Sequence, residues 1–250
     1  MLETDEALGF RFVRGRDEQI LAMIFELSRL PYSYMITPNV DFVVRAYKDK
    51  GARLLYDKAS VHICDSRVVR MCMRLLGVSL SCFPGSDVVR CLFESGRSDV
   101  GFLVAGPTEQ QFIRLTHKFP NLRLQFLPTP ANFGRHDPRW AAALVDAAEA
   151  TWDVILICFG SPKQEQFAFD LARLRQAPGV ALCVGGSIDF LTGAQVRSPA
   201  WMQRLSLEWL FRLLTNPRRL WRRYLVDNPK FFLILLQEAY GRYSKKGSRN

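Results

Sequence analysis

Short apolar runs alternate with amphipathic stretches over the first three quarters of the chain. The apolar runs have the length of strands buried on both faces and fall at residues 34–36, 61–64, 100–105, 122–126, 154–159 and 180–184. Between them, apolar residues at spacings of three and four predict helices at residues 17–30, 42–47, 67–76, 87–93, 112–119, 141–150 and 162–174. This alternation predicts an α/β fold in which helices cover both faces of a mostly parallel sheet.

Local signals refine several boundaries of these elements. Asp17 is expected to cap the first helix at its N-terminus. Breakers at both ends and within residues 128–138 predict a loop there. Residues 244–250 form a polar tail. No internal repeat is present before that tail.

The composition changes once, near residues 193–199, to a helical run rich in arginine and tryptophan. We therefore expect two units, a core at residues 1–195 and a helical appendage at residues 196–250. Asn216-Pro217 and Asn228-Pro229 each resemble a helix start, with Asn as N-cap and Pro in the first helical position. These breaks predict three short helices in place of one long one.

The chain has 250 residues and a net charge of +10, which favours an anionic partner: nucleic acid, a phosphorylated substrate or anionic lipid. In a helix, Arg219 would share a face with Arg222 and Arg223. Composition does not distinguish a phosphate or membrane-surface site from a solvated basic face with Trp209 and Trp221 anchored in the core.

Residues 229–240 are apolar on all sides yet too short to span a bilayer. This pattern predicts an interfacial membrane anchor. The alternative is a helix that packs on the core, where apolar helices are usually found.

The six cysteines form no C-x-x-C pair and do not cluster with histidine in the sequence, which argues against a structural zinc site. We expect free thiols in a reducing cytoplasm. The N-terminus lacks the basic and apolar regions of a secretory signal. No bound metal or cofactor is expected.

Ligands of open α/β sheets bind outside the carboxyl ends of the strands. The residues in those positions are Thr37 and Asn39, Asp65, Gly106 to Thr108, Gly160 to Gln166, and Gly185 to Asp189. Glycine turns that open onto a helix favour an anion. Tight connections between strands and helices use glycine as well, so the glycines alone do not establish a ligand site.

Asp65 either caps the helix that follows or faces the cleft, and Ser66 could supply the cap instead. The amides of Gln164 and Gln166 suit sugar hydroxyls or a uracil edge, although a solvated helix start explains them equally. The chain contains no D-x-D pair to hold a metal against a diphosphate.

Several motifs together resemble the WecG/TagA/CpsF glycosyltransferases (glycosyltransferase family 26). They are Thr37-Pro-Asn39, the strand-end Asp65, Gly160-Ser-Pro-Lys-Gln-Glu165, Asp189-Phe-Leu-Thr-Gly193, Arg197-Ser-Pro-Ala-Trp201, Leu207-Glu-Trp-Leu-Phe-Arg212 and Pro217-Arg-Arg-Leu-Trp-Arg-Arg-Tyr224. The resemblance implies a Rossmann-like core and a C-terminal appendage that completes the site and touches the membrane. It also implies inverting, metal-independent transfer from a UDP-sugar to a polyprenyl-diphosphate-linked sugar at the cytoplasmic membrane face.

The resemblance further implies roles for particular residues. Asp65 resembles the family's catalytic base, Thr37 and Asn39 its pocket neighbours, and Gln164 or Gln166 a substrate-contacting amide. Arg212, Arg219 and Arg222 resemble arginines that meet the diphosphate. Further expected substrate contacts are Gly106, Gly160, Lys163, Gly185, Asp189 and Arg197. The chain departs from the family pattern at Ser66, where a glycine is usual, and at Gly185-Gly-Ser187.

The expected partners are therefore the UDP-sugar, the lipid-linked acceptor, an anionic membrane surface and other polysaccharide-assembly enzymes. One alternative is a catalytically inactive, membrane-docked member of an assembly complex. A basic nucleic-acid-binding protein is supported only by charge and interleaved aromatics, because no helix-turn-helix, RNP-like or zinc motif is present. We expect no nucleic-acid partner.

Overall fold

The computed structural model describes residues 2–130 and 134–247. Its strands are β1 Thr4–Ala7, β2 Phe10–Val13, β3 Ser33–Ile36, β4 Val61–His62, β5 Gly101–Ala105, β6 Arg123–Leu127, β7 Val154–Ile157 and β8 Val180–Cys183. The helices that flank or connect these strands are α1 Asp17–Leu27, α2 Val40–Lys48, α3 Lys50–Asp57, α4 Arg67–Leu75, α5 Gly85–Glu94, α6 Glu109–Lys118, α7 Pro138–Glu149, α8 Lys163–Leu171 and α9 Ser187–Leu191. After them come α10 Ala200–Arg204, α11 Glu208–Thr215, α12 Pro217–Trp221, a π-helix Arg222–Asp227 and α13 Lys230–Gly247.

All eight strands form one sheet in the order β1-β2-β4-β3-β8-β7-β5-β6. The pairing is parallel throughout except between β1 and β2, which are antiparallel. This confirms the predicted α/β class and the mostly parallel sheet. The neighbours β3 and β8 send their following helices, α2 and α9, to opposite faces of the sheet. A crevice at such a switch point is where ligands of this fold class bind.

Alternate residues of the central strands enter two separate cores, one on each face of the sheet. In β3, Tyr34 and Ile36 pack into one core while Met35 packs into the other. In β8, Ala181 and Cys183 likewise oppose Val180 and Leu182. Because both faces are covered, these strands are apolar at consecutive positions, which is why the sequence reveals them as unbroken runs.

Two elements at the start of the chain were not predicted. The hairpin β1–β2 turns at Leu8 and Gly9, whose φ angles are 54° and 77°. β1 is short and largely polar, so it lacks the apolar run that marks the central strands. Helix α3 follows α2 directly, and its N-cap is Asp49, whose side chain accepts hydrogen bonds from the Gly51 and Ala52 N–H groups.

The first helix starts at residue 17 as predicted, but its predicted N-cap residue and its predicted end were wrong. Arg16, not Asp17, occupies the N-cap position, and its N–H donates to the Gln19 side chain at 2.9 Å. Asp17 is the first residue of the helix, and the helix ends at Leu27, three residues earlier than expected. A carboxylate in the first turn still favours the helix through its dipole.

Helix α7 also starts earlier than residue 141, because Asp137 accepts from the Arg139 N–H and caps a helix that begins with Pro138. The loop predicted at residues 128–138 includes residues 131–133, which lie outside the described residues. The predicted polar tail is helical as far as Gly247. Residues 248–250 of that tail lie outside the described residues.

The C-terminal segment, residues 196–247, breaks at Asn216 and Asn228, as the sequence predicts. It contains more helices than the expected three, however, and α13 is 18 residues long. Asn216 makes no side-chain cap, so that part of the prediction was wrong. Phe231 is 1% exposed and packs in the core next to α2. This contact attaches the C-terminal segment to the rest of the fold.

Glu165 in α8 is fully buried, which is rare for a carboxyl group. Its Oε1 accepts a hydrogen bond from the Gln164 side chain at 2.7 Å. Burial raises the pKa of Glu165 to about 7, against the opposing hydrogen bonds from Gln164 and Ser161. The native state therefore holds this proton more tightly than an unfolded chain does.

Because the folded pKa is raised, Glu165 lowers the free energy of unfolding as the pH rises from its ordinary value of 4.5 to about 7. Glu165→Gln is neutral at every pH. Between pH 4.5 and a pH above 7, the free energy of unfolding of this variant should increase relative to that of wild type by on the order of 3 kcal/mol. Urea unfolding across that range measures the difference. Glu149→Gln, at an exposed position of α7, is the control, and its free energy of unfolding should change with pH in parallel with that of wild type. Parallel curves for Glu165→Gln would contradict the assignment.

Candidate active site

A cavity of about 360 Å³ lies where the carboxyl ends of β3 and β4 meet the C-terminal segment. Residues that follow the strands form one wall, among them Asn39, Asp65 and Arg67. Residues of α11, the π-helix and the start of α13 form the other, among them Glu208, Trp209, Arg212, Arg223 and Phe232. The site therefore requires both parts of the chain.

Asp65 is half-buried in this wall and is held by two donors. The Gly85 N–H donates to its Oδ1 at 2.8 Å, and the Asn39 side-chain amide donates to its Oδ2 at 3.3 Å. Ser66 caps α4 by accepting from the Val69 N–H at 3.2 Å. The structure thus resolves the alternative left by the sequence: Ser66 caps the helix and Asp65 faces the cavity.

Ser66 also explains why a glycine is unnecessary at that position. Its φ of −116° is an extended conformation that any residue can adopt. The serine therefore leaves the local backbone unstrained and adds a helix cap.

Asn39 performs two tasks with one amide group. Its Oδ1 accepts from the N–H groups of Asp41 and Phe42 and caps α2. Because the oxygen is committed to the helix, the amino group is left to donate to Asp65. The cap on α2 thereby orients the Asn39 amino group toward the Asp65 carboxylate.

The surroundings of Asp65 act on its ionisation in opposite directions. Burial has the largest effect and raises the pKa of the Asp65 carboxyl above its ordinary value. Three neighbours lower this pKa: the Gly85 N–H, the Arg212 guanidinium and the Asn39 amide. The Glu208 carboxylate raises it. Burial dominates, so this carboxyl attracts a proton more strongly than an exposed aspartate. A raised pKa suits a group that accepts a proton from a substrate.

Three arginines face the cavity. Arg212 donates to Glu208 Oε1 at 2.7 Å and its guanidinium lies over the Phe190 ring at 5.3 Å. Arg67 approaches Glu208 Oε2 at 3.6 Å. Arg223 lies 3.5 Å from Asp41 Oδ1. The cavity thus combines one base candidate with several fixed cations.

Of the three arginines expected to meet a diphosphate, the structure brings only Arg212 into the cavity wall. Arg219 and Arg222 are exposed. The π-helix begins at Arg222, so the α-helical spacing used to place these residues on one face does not hold beyond Trp221. Trp209 lines the cavity and Trp221 is 51% exposed, so neither is a core anchor.

Arg67 and Glu208 line the cavity but were not among the site residues expected from the sequence. Arg67 stands two residues after Asp65, and Glu208 stands four residues before Arg212, a spacing at which helical side chains pair. That second spacing was a usable signal. Arg223 was expected to share a face with Arg219 and Arg222, but of these three arginines only Arg223 lines the cavity.

The remaining predicted residues lie at the sheet edge beside the cavity. Thr37 donates to the Cys183 carbonyl at 3.2 Å, across the crevice between β3 and β8. Gln164 is buried, and its Oε1 accepts from the Gly185 N–H at 2.9 Å, so it is not part of a solvated helix start. This bond ties the turn after β8 to the first turn of α8, which begins at Lys163, three residues beyond Gly160.

Three further residues predicted to contact substrate are paired with other side chains of the fold. Arg197 makes a bidentate ion pair with Asp87, both contacts at 2.7 Å. Gln166 donates to Asp170 at 3.0 Å, and Asp189 accepts from Gln111 at 2.7 Å. None of Arg197, Gln166 and Asp189 lines the cavity.

Within residues 2–130 and 134–247, no three His, Cys, Asp or Glu side chains come together as a metal-ligand set. The cysteines are free. In the same part of the chain, no helix is both long and apolar enough to cross a bilayer.

An aspartate aimed at a cavity with fixed cations, at the carboxyl edge of a mostly parallel sheet, is an arrangement suited to group transfer between polar substrates. The Glycosyl transferase WecG/TagA/CpsF family matches residues 6–245, and the chain belongs to this family. The protein is therefore a glycosyltransferase, and the nucleic-acid-binding alternative is set aside.

Two similar proteins carry the name N-acetylglucosaminyldiphosphoundecaprenol N-acetyl-beta-D-mannosaminyltransferase. The one from Bacillus spizizenii is 40% identical over 214 residues, which cover 82% of this chain and 79% of that protein. The one from Bacillus subtilis is 41% identical over 91 residues, which cover 36% of this chain and 34% of that protein.

Gly106 shapes the sheet edge through close packing. Its φ is 114°, and an added Cβ would lie 2.9 Å from Cys158 backbone atoms. Gly160 has a φ of 84° but open space around it. Gly106→Ala should therefore lower the free energy of unfolding by about 2–4 kcal/mol, and Gly160→Ala by about 1–2 kcal/mol from backbone strain alone. Urea unfolding of both variants tests this order, and equal losses would contradict it.

Proposed function

We propose that the protein transfers a sugar from a UDP-sugar to a hydroxyl group of a sugar carried on a polyprenyl diphosphate. Transfer inverts the anomeric centre and needs no metal. The observation that carries this proposal is Asp65, which Asn39 and Gly85 hold at the cavity wall beside Arg212. The names of the two Bacillus relatives support an N-acetylhexosamine as the transferred sugar and an N-acetylglucosaminyl diphospholipid as the acceptor.

In this mechanism Asp65 accepts the proton of the attacking hydroxyl group. The hydroxyl oxygen forms a bond to the anomeric carbon while the bond to the UDP oxygen breaks on the opposite face of the sugar. The electron pair of that bond leaves with UDP, and Arg212 stabilises the developing charge. A carboxylate and a guanidinium on facing walls serve the two ends of this displacement.

The nucleotide is assigned to the crevice between β3 and β8, next to the cavity. Thr37 and Gln164 support this crevice from within the fold, through the Cys183 carbonyl and the Gly185 N–H. Gly160, Lys163 and Gly185 lie on the turns that open onto it, where backbone N–H groups favour an anion. Gly106, Gln166, Asp189 and Arg197 take the role of supporting this edge, because other side chains or tight packing already engage them.

Residues 196–250 act as an appendage that brings the lipid-linked acceptor to the core at residues 1–195. Its exposed apolar side chains include Trp221, Leu225, Phe232, Leu233 and Leu236. Arg219 and Arg222 are exposed on the same segment and are assigned to lipid phosphates. The protein thus works as a peripheral enzyme on the cytoplasmic face of the membrane.

The test is a transfer assay with a panel of radiolabelled UDP-sugars and a water-soluble analogue of an N-acetylglucosaminyl diphospholipid. Product should form with at least one UDP-N-acetylhexosamine and persist in EDTA. Strict dependence on added Mg²⁺ or Mn²⁺ would refute metal independence. UDP binding without turnover on any sugar would favour the inactive, membrane-docked alternative.

Asp65→Asn should keep the hydrogen bond from Gly85 and lower kcat by about 10²–10⁴-fold, because the amide cannot accept the substrate proton. A general base works only when ionised, and burial raises the pKa of Asp65. Wild-type kcat should therefore fall on acidification with a midpoint above the ordinary range of aspartate. Asp99→Asn, at an exposed surface pair with Arg97, is the control. A folded Asp65→Asn protein with normal kcat would remove Asp65 from this role.

Helix α13 divides into a packed and an exposed side: Phe231 is buried, whereas Phe232, Leu233 and Leu236 are 59%, 64% and 66% exposed. Replacing these three exposed residues with serine should reduce co-sedimentation with vesicles rich in phosphatidylglycerol about tenfold or more, because each buried apolar group contributes to interfacial binding. Leu75→Ser, which removes an 82% exposed leucine from α4, should have no effect. Unchanged vesicle binding by the triple variant would contradict an anchoring role.

A further inference from the structure

The carboxylate of Glu208 bridges two arginines that come from different parts of the chain. Oε1 accepts from Arg212 Nη2 at 2.7 Å, within α11. Oε2 lies 3.6 Å from Arg67 Nη1, on the first residue of α4. One wall of the cavity is thus joined to the other through a single anion.

Helical pairing alone does not account for this bridge. Glu238 and Arg242 form the same i,i+4 pair in α13, also at 2.7 Å, and lie outside the cavity. Glu208 makes the equivalent contact and a second one across the seam with Arg67. Two guanidinium groups carry twice the charge that one carboxylate neutralises, so the cluster keeps a net positive charge.

All three side chains can be reached from the cavity. The exposed side-chain fraction is 25% for Glu208, 26% for Arg67 and 35% for Arg212. An ion pair that opens onto a cavity can be reached by a competing anion, and its net contribution to stability is small where solvent screens it. A diphosphate offers more charge and more acceptor oxygens than a carboxylate, and two guanidinium forks can engage it at once.

We propose that Arg67 and Arg212 form one diphosphate-binding clamp across the seam, and that Glu208 holds the place of the anion until a diphosphate displaces it. This inference rests on the proposed function, since UDP and the lipid-linked acceptor both carry diphosphates. In this proposal Arg67 is an anion-binding residue of the core. The Glu208 carboxylate competes with the diphosphate for Arg67 and Arg212.

The clamp also acts on the proposed base. The Glu208 carboxylate raises the pKa of Asp65, although less than burial does, and Arg212 lowers it. Glu208→Gln removes one of the influences that raise this pKa. The acidic limb of the kcat profile should therefore move to lower pH in that variant, which a purely structural role of Glu208 would not produce.

Binding of inorganic pyrophosphate, measured by calorimetry at low salt, tests the clamp directly. Glu208→Gln should bind about five- to tenfold more tightly than wild type, because two weak competing ion pairs are lost. Arg67→Gln should bind several-fold more weakly, and Arg67→Lys should fall between Arg67→Gln and wild type because it keeps the charge but loses the fork. In the double variant Glu208→Gln/Arg67→Gln, the gain from Glu208→Gln should shrink.

Glu238→Gln is the matched control, and its pyrophosphate affinity should equal that of wild type. Equal affinity in Glu208→Gln and Glu238→Gln, or weaker binding in Glu208→Gln, would overturn the proposal. Should Glu208→Gln fail to fold, the comparison of Arg67→Gln with Arg67→Lys decides: identical affinities in these two variants and wild type would also overturn it.

Two further measurements, UDP binding and KM for the soluble acceptor, identify which diphosphate the clamp binds. If it is that of the donor, Arg67→Gln should weaken UDP binding; if that of the acceptor, UDP binding should stay normal and KM for the soluble acceptor should rise. An effect on neither would contradict the clamp. Because pyrophosphate binding requires no turnover, an intact clamp in a protein without transferase activity would refute the proposed function and leave the anion site standing.

Discussion

The division of the Asn39 amide between a helix and a carboxylate is the interaction on which the rest of the site depends. The oxygen caps α2 and the amino group holds Asp65, so one side chain starts a helix and aims the proposed base. The Gly85 N–H holds the other carboxylate oxygen from α5. Three elements of the sheet edge therefore have to be in place before Asp65 is oriented, which makes the site a direct product of the fold.

The second half of the site is attached by apolar packing as well as by polar contacts: Ile234 and Leu235 pack against the same core as Phe231. Phe231 is buried against the core, while Lys48 pairs with Asp227 at 2.9 Å and Tyr47 donates to Gln237 at 2.8 Å. Such partly exposed pairs add little stability individually. The apolar packing around Phe231 therefore contributes more to holding the C-terminal segment than these pairs do.

The sequence was most informative where burial is complete. Strands such as β7 and β8 are apolar at every position and were found directly, and the position of Asp65 at a strand end followed from them. The hairpin β1–β2 was missed because the edge strand β1 is largely polar and both strands are only four residues long. The roles of Asp65 and Ser66 could not be separated, since both residue types cap helices and only the backbone direction decides between them.

Interactions across the seam were beyond reach for a different reason. The contact between Arg67 and Glu208 joins residues far apart in the chain, and no local pattern encodes it. The same holds for Gln164: the sequence left a substrate-contacting amide and a solvated helix start open, and its partner, the Gly185 N–H, lies 21 residues later in the chain. The family resemblance located the motifs, but which of their arginines line the cavity depends on how the C-terminal segment packs against the sheet.

The π-helix Arg222–Asp227 begins with two consecutive arginines that have different surroundings. Arg223 lines the cavity near Asp41, whereas Arg222 is exposed to solvent. In the π-helix, the backbone closes its hydrogen bonds five residues back, as the Asn228 N–H does to the Arg223 carbonyl at 2.8 Å. The wider turn rotates every later residue away from its α-helical position, so counting at α-helical spacing from Arg219 does not give the face on which Arg223 and the residues after it lie.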